Sequence, residues 1–220
     1  MKRITIFSGH FGSGKTEIAI NYALKLAKEG KKVNLIDLDI VNPYFCIREK
    51  ISFLNSNGVN VISSDPHLVN AELMVVPPNV ISAFCSKDEY VIFDVGGDDM
   101  GATALSQYNE YFKQEDYEMF FVINTLRPFT KDEVGIEEYI RSIEKASRLK
   151  VSKLISNSNL SVETELSHII EGYNEIKLVS ERLNIPYGFT VAKREFESEF
   201  KGLNIGEFFL IDIYMKPSWM

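Results

Sequence analysis

Gly9-His10-Phe11-Gly12-Ser13-Gly14-Lys15-Thr16 sets glycines, a lysine and a hydroxyl residue at the spacing G-x-x-x-x-G-K-[ST]. The chemistry this spacing serves is phosphate binding. Glycines let the backbone wrap until its N–H groups converge on phosphate oxygens, and a helix opening directly behind adds a partial positive charge at the same spot. Lys15 would bridge the β- and γ-phosphates of a nucleoside triphosphate, and Thr16 would offer its hydroxyl to Mg²⁺. All eight residues of the loop are expected to line the nucleotide. A chance Gly-rich strand-to-helix turn is the bland alternative, and the patterns on either side argue against it.

Two further acidic sites lie behind apolar runs. Leu35-Ile36-Asp37-Leu38-Asp39 ends a strand-like run with carboxylates two residues apart, so that one could orient water while the other serves a metal shell. Two solvated loop acids ahead of Asn42-Pro43 are the competing reading. Tyr90 to Asp94 is a second apolar run ending in an acid, followed by Gly96-Gly97-Asp98-Asp99. Asp94 is the candidate for a second metal-side carboxylate and Gly97 for a turn that senses the γ-phosphate, although an Asp in that place also caps helices. The expected Mg²⁺ set is Thr16, Asp37 and Asp94.

These residues need a scaffold that brings strand ends together. Val-, Ile- and Phe-rich runs at 3–8, 32–37, 59–63, 89–95, 117–124, 151–156 and 187–192 alternate with helix-period segments along all 220 residues. That alternation, with continuous rather than in-out apolar runs, predicts a single α/β domain over 1–220. Its expected core is a doubly wound, mostly parallel sheet of about seven strands with helices on both faces. Such sheets bind ligands outside the carboxyl ends of their strands, which would bring Gly9, Asp37 and Asp94 to one edge. Ala19, Tyr22, Ala23, Leu26 and Ala27 give the first helix its apolar stripe, and Gly30 supplies a left-handed stop. Thr130-Lys131-Asp132-Glu133 reads as a capping box, and 164–183 as a helix closed by Asn184 and Pro186. Prolines at 66, 77 and 78 break the pattern in 64–88, leaving a short helix near 79–85.

Composition excludes several partner classes. A formal charge of -7 gives no field to gather nucleic acid or anionic lipid. Cys46 and Cys85 stand outside any zinc or cluster spacing, and two buried thiols in a reducing cytosol are the expectation. Met1-Lys2-Arg3 runs straight into Ile4-Thr5-Ile6-Phe7, too short for a secretory h-region, and Asp212 interrupts the late apolar run 208–215 far below the roughly 20 residues of a membrane span. That late run is a last strand or a short helix. A cytoplasmic protein without nucleic-acid or membrane partners is expected.

The loop at 9–16, the pair Asp37 and Asp39, Asp94-x-Gly96-Gly97, and Ile155-Ser156-Asn157-Ser158 together resemble the MinD/ParA-type P-loop ATPases over most of the chain. That group also includes the nitrogenase iron protein and ATP-dependent amide ligases of cobalamin synthesis. The resemblance implies that Asp39 positions the attacking water and that Asn157 touches adenine. A guanine reader needs a carboxylate in an N-K-x-D-like run, and Asn157-Ser158-Asn159-Leu160 has none, so ATP is expected over GTP. His10 is a departure, because the family carries a second lysine there that reaches the partner subunit's phosphates in a nucleotide-sandwich homodimer. An imidazole with an unperturbed pKa of about 6.5 is a minority cation at neutral pH. Hydrolysis and ATP-gated dimerisation are both open on that account, as is a rival arrangement in which His10 and Phe11 pack as a lid within one subunit. No basic amphipathic helix of the membrane-holding kind closes the sequence.

The leading expectation is therefore a Mg·ATP-dependent switch acting on a protein partner. A synthetase that activates a small carboxylate is the alternative and would need a basic second pocket, for which Arg127, Lys193 and Arg194 are the available lining. A non-hydrolysing nucleotide-binding module is the third reading. His67 and His168 lack ligand-spaced neighbours and read as structural. Asn42-Pro43-Tyr44-Phe45, ahead of Arg48-Glu49, reads as a switch surface or as an apolar plug.

Overall fold

A computed structural model describes residues 2–39, 47–63, 79–200, 202–203 and 205–215. Among them eight strands form one sheet in which every pairing is parallel: β1 (Ile4–Ser8), β2 (Lys32–Leu38), β3 (Val59–Ile62), β4 (Glu89–Val95), β5 (Tyr117–Ile123), β6 (Lys153–Ser156), β7 (Tyr187–Lys193) and β8 (Phe208–Ile211). Their order is β3-β2-β4-β1-β5-β6-β7-β8. The seven expected strands all form, and the eighth comes from the late apolar run, which becomes strand at 208–211. The helices are α1 (Lys15–Lys28), α2 (Ile51–Ser56), α3 (Val80–Cys85), α4 (Asp99–Ser106), α5 (Asn109–Phe112), α6 (Glu133–Ser147) and α7 (Leu166–Leu183). No helix among the described residues is long and apolar enough to cross a membrane.

Apolar runs without alternation mean that both pleats must be covered, and they are. Ile4, Ile6, Ile36, Leu38, Phe93 and Phe121 face a layer built from α3 to α7. The intervening residues Phe7, Val33, Leu35, Ile92, Phe120 and Val122 face α1, Leu54 of α2 and the segment around Met215. Fully burying each such side chain contributes about 1.5–3 kcal/mol, so the central strands are the most firmly held part of the molecule. β1 lies between β4 and β5 in this sheet. Chain crossings leave β1 toward β2 on one side and reach β5 on the other, which opens the crevice at its carboxyl end.

α1 carries the predicted stripe, and Gly30 ends it at φ 78, with its N–H donating to Ala27 O at 2.9 Å. Glu17 and Asn21 on the same helix hold the chain beyond β8. Asn21 exchanges two 2.9 Å bonds with the Asp212 backbone, and the Glu17 carboxylate accepts from Tyr214 N and Met215 N at 2.7 and 3.0 Å. The first helix is thereby strapped to the last strand.

Two local expectations are corrected. Asp132, not Thr130, is the N-cap of α6, accepting from Gly135 N at 2.9 Å. Thr130 closes a separate 3-10 turn at Pro128–Thr130 and spends its hydroxyl on Asn124 O at 2.8 Å. Cys85 is exposed rather than buried, because it ends the two-turn α3 on its outer side. Cys46, His67, the 42–45 run and prolines 66, 77 and 78 lie outside the described residues. The short helix expected near 79–85 forms as α3.

α4 starts hard against the turn that follows β4. A Cβ on Gly101 would lie 2.6 Å from Gly96 Cα and 2.7 Å from Gly96 N, inside any tolerable contact. Gly101→Ala should therefore cost about 1–3 kcal/mol through forced separation of helix and turn, despite alanine's better helix propensity. Chemical denaturation measures it, and an unchanged or raised stability would mean that α4 does not need this close approach.

Candidate functional site

The parallel register sets the site. Phe7 pairs with Asp94 and Asp37 pairs with Asp94, so β1, β4 and β2 end side by side and deliver the loop and the acids to one place. Behind β1, Gly12 and Gly14 take φ 74 and 84, values that side chains resist. The turn closes with Ser13 N donating to His10 O at 3.1 Å, and α1 then begins at Lys15. A Cβ on Gly14 would stand 2.3 Å from the Asn157 amide nitrogen. Only glycine lets that neighbour in.

Lys15 and Thr16 are buried, as are Asp37, Asp39 and Asp94. Lys15 Nζ lies 3.6 Å from Asp39 Oδ2 and 5.5 Å from the centre of the Phe11 ring. Asp37 faces Arg48 Nε at 3.7 Å and accepts from Asp39 N at 3.0 Å. Asp94 is 0% exposed, and neither of its oxygens has a hydrogen-bond partner within the described residues. The Thr16 hydroxyl faces it without closing a bond of ordinary geometry. Burial first, then repulsion from Asp39 and Asp37, raises the Asp94 carboxyl to about 8 against the pull of Lys15. Burial likewise raises Asp37 to about 6, opposed chiefly by Arg48.

Asp39 thus pairs with Lys15 and Asp37 with Arg48, while Asp94, the most deeply buried of the three, has no ion-pair or hydrogen-bond partner among the described residues and keeps its proton at neutral pH. A hard divalent cation meeting oxygen ligands is the species that removes this deficit. The residues present therefore fit Mg²⁺ at Thr16 and Asp94, with Asp37 beside them. The anion half of the fit is the glycine loop at the start of a 14-residue helix, with the buried Lys15 ammonium at its end.

Side chains just beyond β5 and β6 brace the loop from outside. Asn157 donates to Ser13 O at 2.7 Å, Asn124 to Gly12 O at 3.4 Å and to Asn159 O at 2.9 Å, and Arg127 Nε to Gly12 O at 3.3 Å. Asn157 is thus brought to the loop itself. Asn124 was not singled out by sequence reasoning, although it directly follows an apolar run at the same sheet edge. Gly97 presses on the loop from the other side, where a Cβ would lie 2.7 Å from Phe11 N. Tyr139 of α6 donates its hydroxyl to Gly97 O, a contact that its place in a helical stripe does not announce.

His10 is held within its own chain. Its ring stands 4.8 Å from that of Tyr139, 5.1 Å from Phe129 and 6.1 Å from Phe11, and Nδ1 lies 2.9 Å from Phe11 O. The remaining candidates stay apart from the site. His168 Nδ1 accepts from Glu165 N at 3.1 Å and completes the cap of α7, a structural role. Lys193 pairs with Glu195 and Arg194 with Asp212.

A family model described as the CobQ/CobB/MinD/ParA nucleotide binding domain matches residues 4–188. Among solved structures, the cell division protein FtsY of Thermotoga maritima is similar at 21% identity and a TM-score of 0.58, covering 86% of this chain and 61% of that one. FtsY of Mycoplasma mycoides is similar at 17% identity and a TM-score of 0.57, covering 85% of this chain and 58% of that one. The 54 kDa signal recognition particle protein of Aeropyrum pernix, solved with GDP, shares 18% identity at a TM-score of 0.55 over 85% of this chain and 40% of its own. This chain thus spans about three-fifths of the two FtsY chains, and the likeness is one of fold.

Between its ordinary value of 3.8 and about 8, Asp94 is protonated in the folded protein and ionised in the unfolded chain. The folded state then holds more protons, so stability falls as pH rises through that window. Asp94→Asn keeps the shape without the charge. It should raise the melting temperature of the nucleotide-free protein at pH 8 by roughly 2–4 °C and make its decline from pH 5 to 8 shallower. Thermal scans across that range check this, and parallel curves for the two proteins would refute the burial argument.

Proposed function

The chain belongs to the CobQ/CobB/MinD/ParA nucleotide-binding domain family, and from that premise we propose that it is a cytoplasmic Mg·ATP-binding switch that hydrolyses ATP and acts on a protein partner. The observation that carries the reading is the orphaned Asp94 carboxylate beside Lys15, behind a glycine loop at a helix start. Bound there, Mg²⁺ supplies charge neutralisation for the phosphates, held by Thr16 and Asp94 with Asp37 alongside. Lys15 binds the β- and γ-phosphates. Asp39, paired with Lys15, aligns the water that attacks the γ-phosphorus, and the bond to the β-phosphate oxygen breaks to give ADP and phosphate. Gly97 senses the γ-phosphate through its contact with the loop. Loss of that phosphate frees the turn and the chain beyond Asp39, which is the switching step.

Adenine rather than guanine is supported by Asn157-Ser158-Asn159-Leu160, which offers amides and a hydroxyl but no carboxylate for guanine's ring N–H donors. In this reading Asn157 is the base-side residue, and its amide nitrogen also donates to Ser13 O. Activation of a small carboxylate is less well supported, since Lys193 and Arg194 are engaged by Glu195 and Asp212 and Arg127 Nε is spent on Gly12 O. The His10 ring is committed to its own Phe129 and Tyr139, which supports a monomeric switch over a sandwich homodimer.

Mg·ATP at about 1,000 times its dissociation constant should stabilise the fold by roughly 4 kcal/mol, GTP by clearly less, and Lys15→Ala should lose most of the effect. Asp39→Asn should retain ATP-induced stabilisation while turnover falls by about a hundredfold or more, since water alignment acts in the transition state. Melting curves and phosphate release measure the two separately. If ATP leaves the wild-type melting curve unmoved, the nucleotide reading fails.

Sedimentation with a non-hydrolysable ATP analogue should show a monomer at both pH 6 and pH 8 for the wild type. Under the sandwich alternative the dimer would grow as pH falls, because His10 would have to gain a proton to serve the partner's phosphates. His10→Lys would then dimerise at both pH values.

A further inference from the structure

We propose that the groove between the first turns of α4 and α6 is the docking site for a cationic segment of a partner protein, carrying lysine or arginine beside apolar anchors; this deepens, and rests on, the switch reading above. The groove has a volume of about 710 Å³. Four carboxylates line it, Asp98, Asp99, Asp132 and Glu138, no lysine or arginine does, and none of the four enters an ion pair among the described residues. Like charges gathered this closely repel, and a cation delivered between them relieves the repulsion.

The acids are also preset. Asp98 accepts from Gly101 N at 2.9 Å, Asp132 from Gly135 N at 2.9 Å, and Asp99 from Ser142 Oγ at 2.7 Å. Fixing them in the free protein lowers the ordering cost of an encounter. Between them stand apolar side chains left in water: Met100 is 42%, Val134 59% and Phe129 67% exposed. Methionine and aromatic residues of this kind mark protein interfaces, and a small polyvalent cation would leave them uncovered.

The groove is joined to the nucleotide site through its own wall. Asp98 directly follows Gly97, whose carbonyl accepts from Tyr139, and the Tyr139 and Phe129 rings hold His10 of the loop. A shift of the Gly97 turn therefore changes the distance between the acids of α4 and those of α6. The docking site is matched to its partner in one nucleotide state only.

The test uses the full chain and a fluorescein-labelled amphipathic peptide of Lys-Leu-Leu-Lys repeats, at about 150 mM salt where screening sets in beyond about 8 Å. Anisotropy is read with Mg²⁺ and either ADP or a non-hydrolysable ATP analogue. Expected are affinities differing by about tenfold or more between the two nucleotides, and a similar loss in Met100→Glu/Glu138→Lys, with no loss in a Glu171→Lys/Glu175→Lys control on α7. Amide shifts on peptide binding should concentrate in 97–101 and 128–142. Equal affinity in the two nucleotide states, equal loss in both double variants, or displacement of the peptide by spermidine at equal charge would each overturn the proposal. If nucleotides raise the melting temperature and the peptide ignores the groove, the docking inference alone fails. If no nucleotide does, the switch reading fails first.

Discussion

A lysine buried among carboxylates is the constraint on which this molecule turns. Lys15, Asp37, Asp39 and Asp94 are nearly closed to water, and a charge in such a place is tolerable only when its neighbours are fixed to within tenths of an ångström. The parallel register of β2, β4 and β1 supplies that fixity for the acids, and two filled apolar layers keep the register from slipping. For Lys15 the fixity comes from the wound loop, which Asn124, Asn157 and Arg127 hold by its carbonyls. The Asp94 carboxyl is left without a partner by this arrangement and keeps its proton up to about pH 8.

Most of the scaffold was legible in the sequence because strand and helix periods are local properties. Runs such as Tyr90-Val91-Ile92-Phe93 declare a strand with both faces covered, and the stripe Ala19, Tyr22, Ala23, Leu26 declares which side of α1 meets the sheet. The loop spacing and the acids at strand ends were legible for the same reason. Contacts made across the fold were not. Asn124 bonds to Gly12 and Tyr139 to Gly97, over separations of 112 and 42 residues, and no local pattern distinguishes those side chains from others of their type. The α6 cap fell between these cases: Thr130 and Asp132 are both plausible caps, and only the 3-10 turn at Pro128–Thr130 decides for Asp132.

His10 ties the loop to α6. Its imidazole lies against the rings of Phe129 and Tyr139, which join the loop's outer face to α6. The same rings border the acid-lined groove, so the loop communicates with α6 inside one chain. The contact of His10 with Phe129 and Tyr139 gives the loop an aromatic neighbour within its own chain.

The strap between α1 and the chain beyond β8 bears on how the protein is made. Glu17 sits one residue after Thr16, and its partners Tyr214 and Met215 are 197 and 198 residues further along. In translation the phosphate loop therefore precedes its strap by almost the whole of this sheet, while early segments start to fold as they emerge. Until residues 212–215 arrive, the helix that presents Lys15 and Thr16 lacks its outer anchor. The helix that follows the loop therefore gains its outer anchor only once β8 has been made, and a nascent chain cut short before β8 would carry the loop with its braces at Gly12 and Ser13 but without the strap on α1.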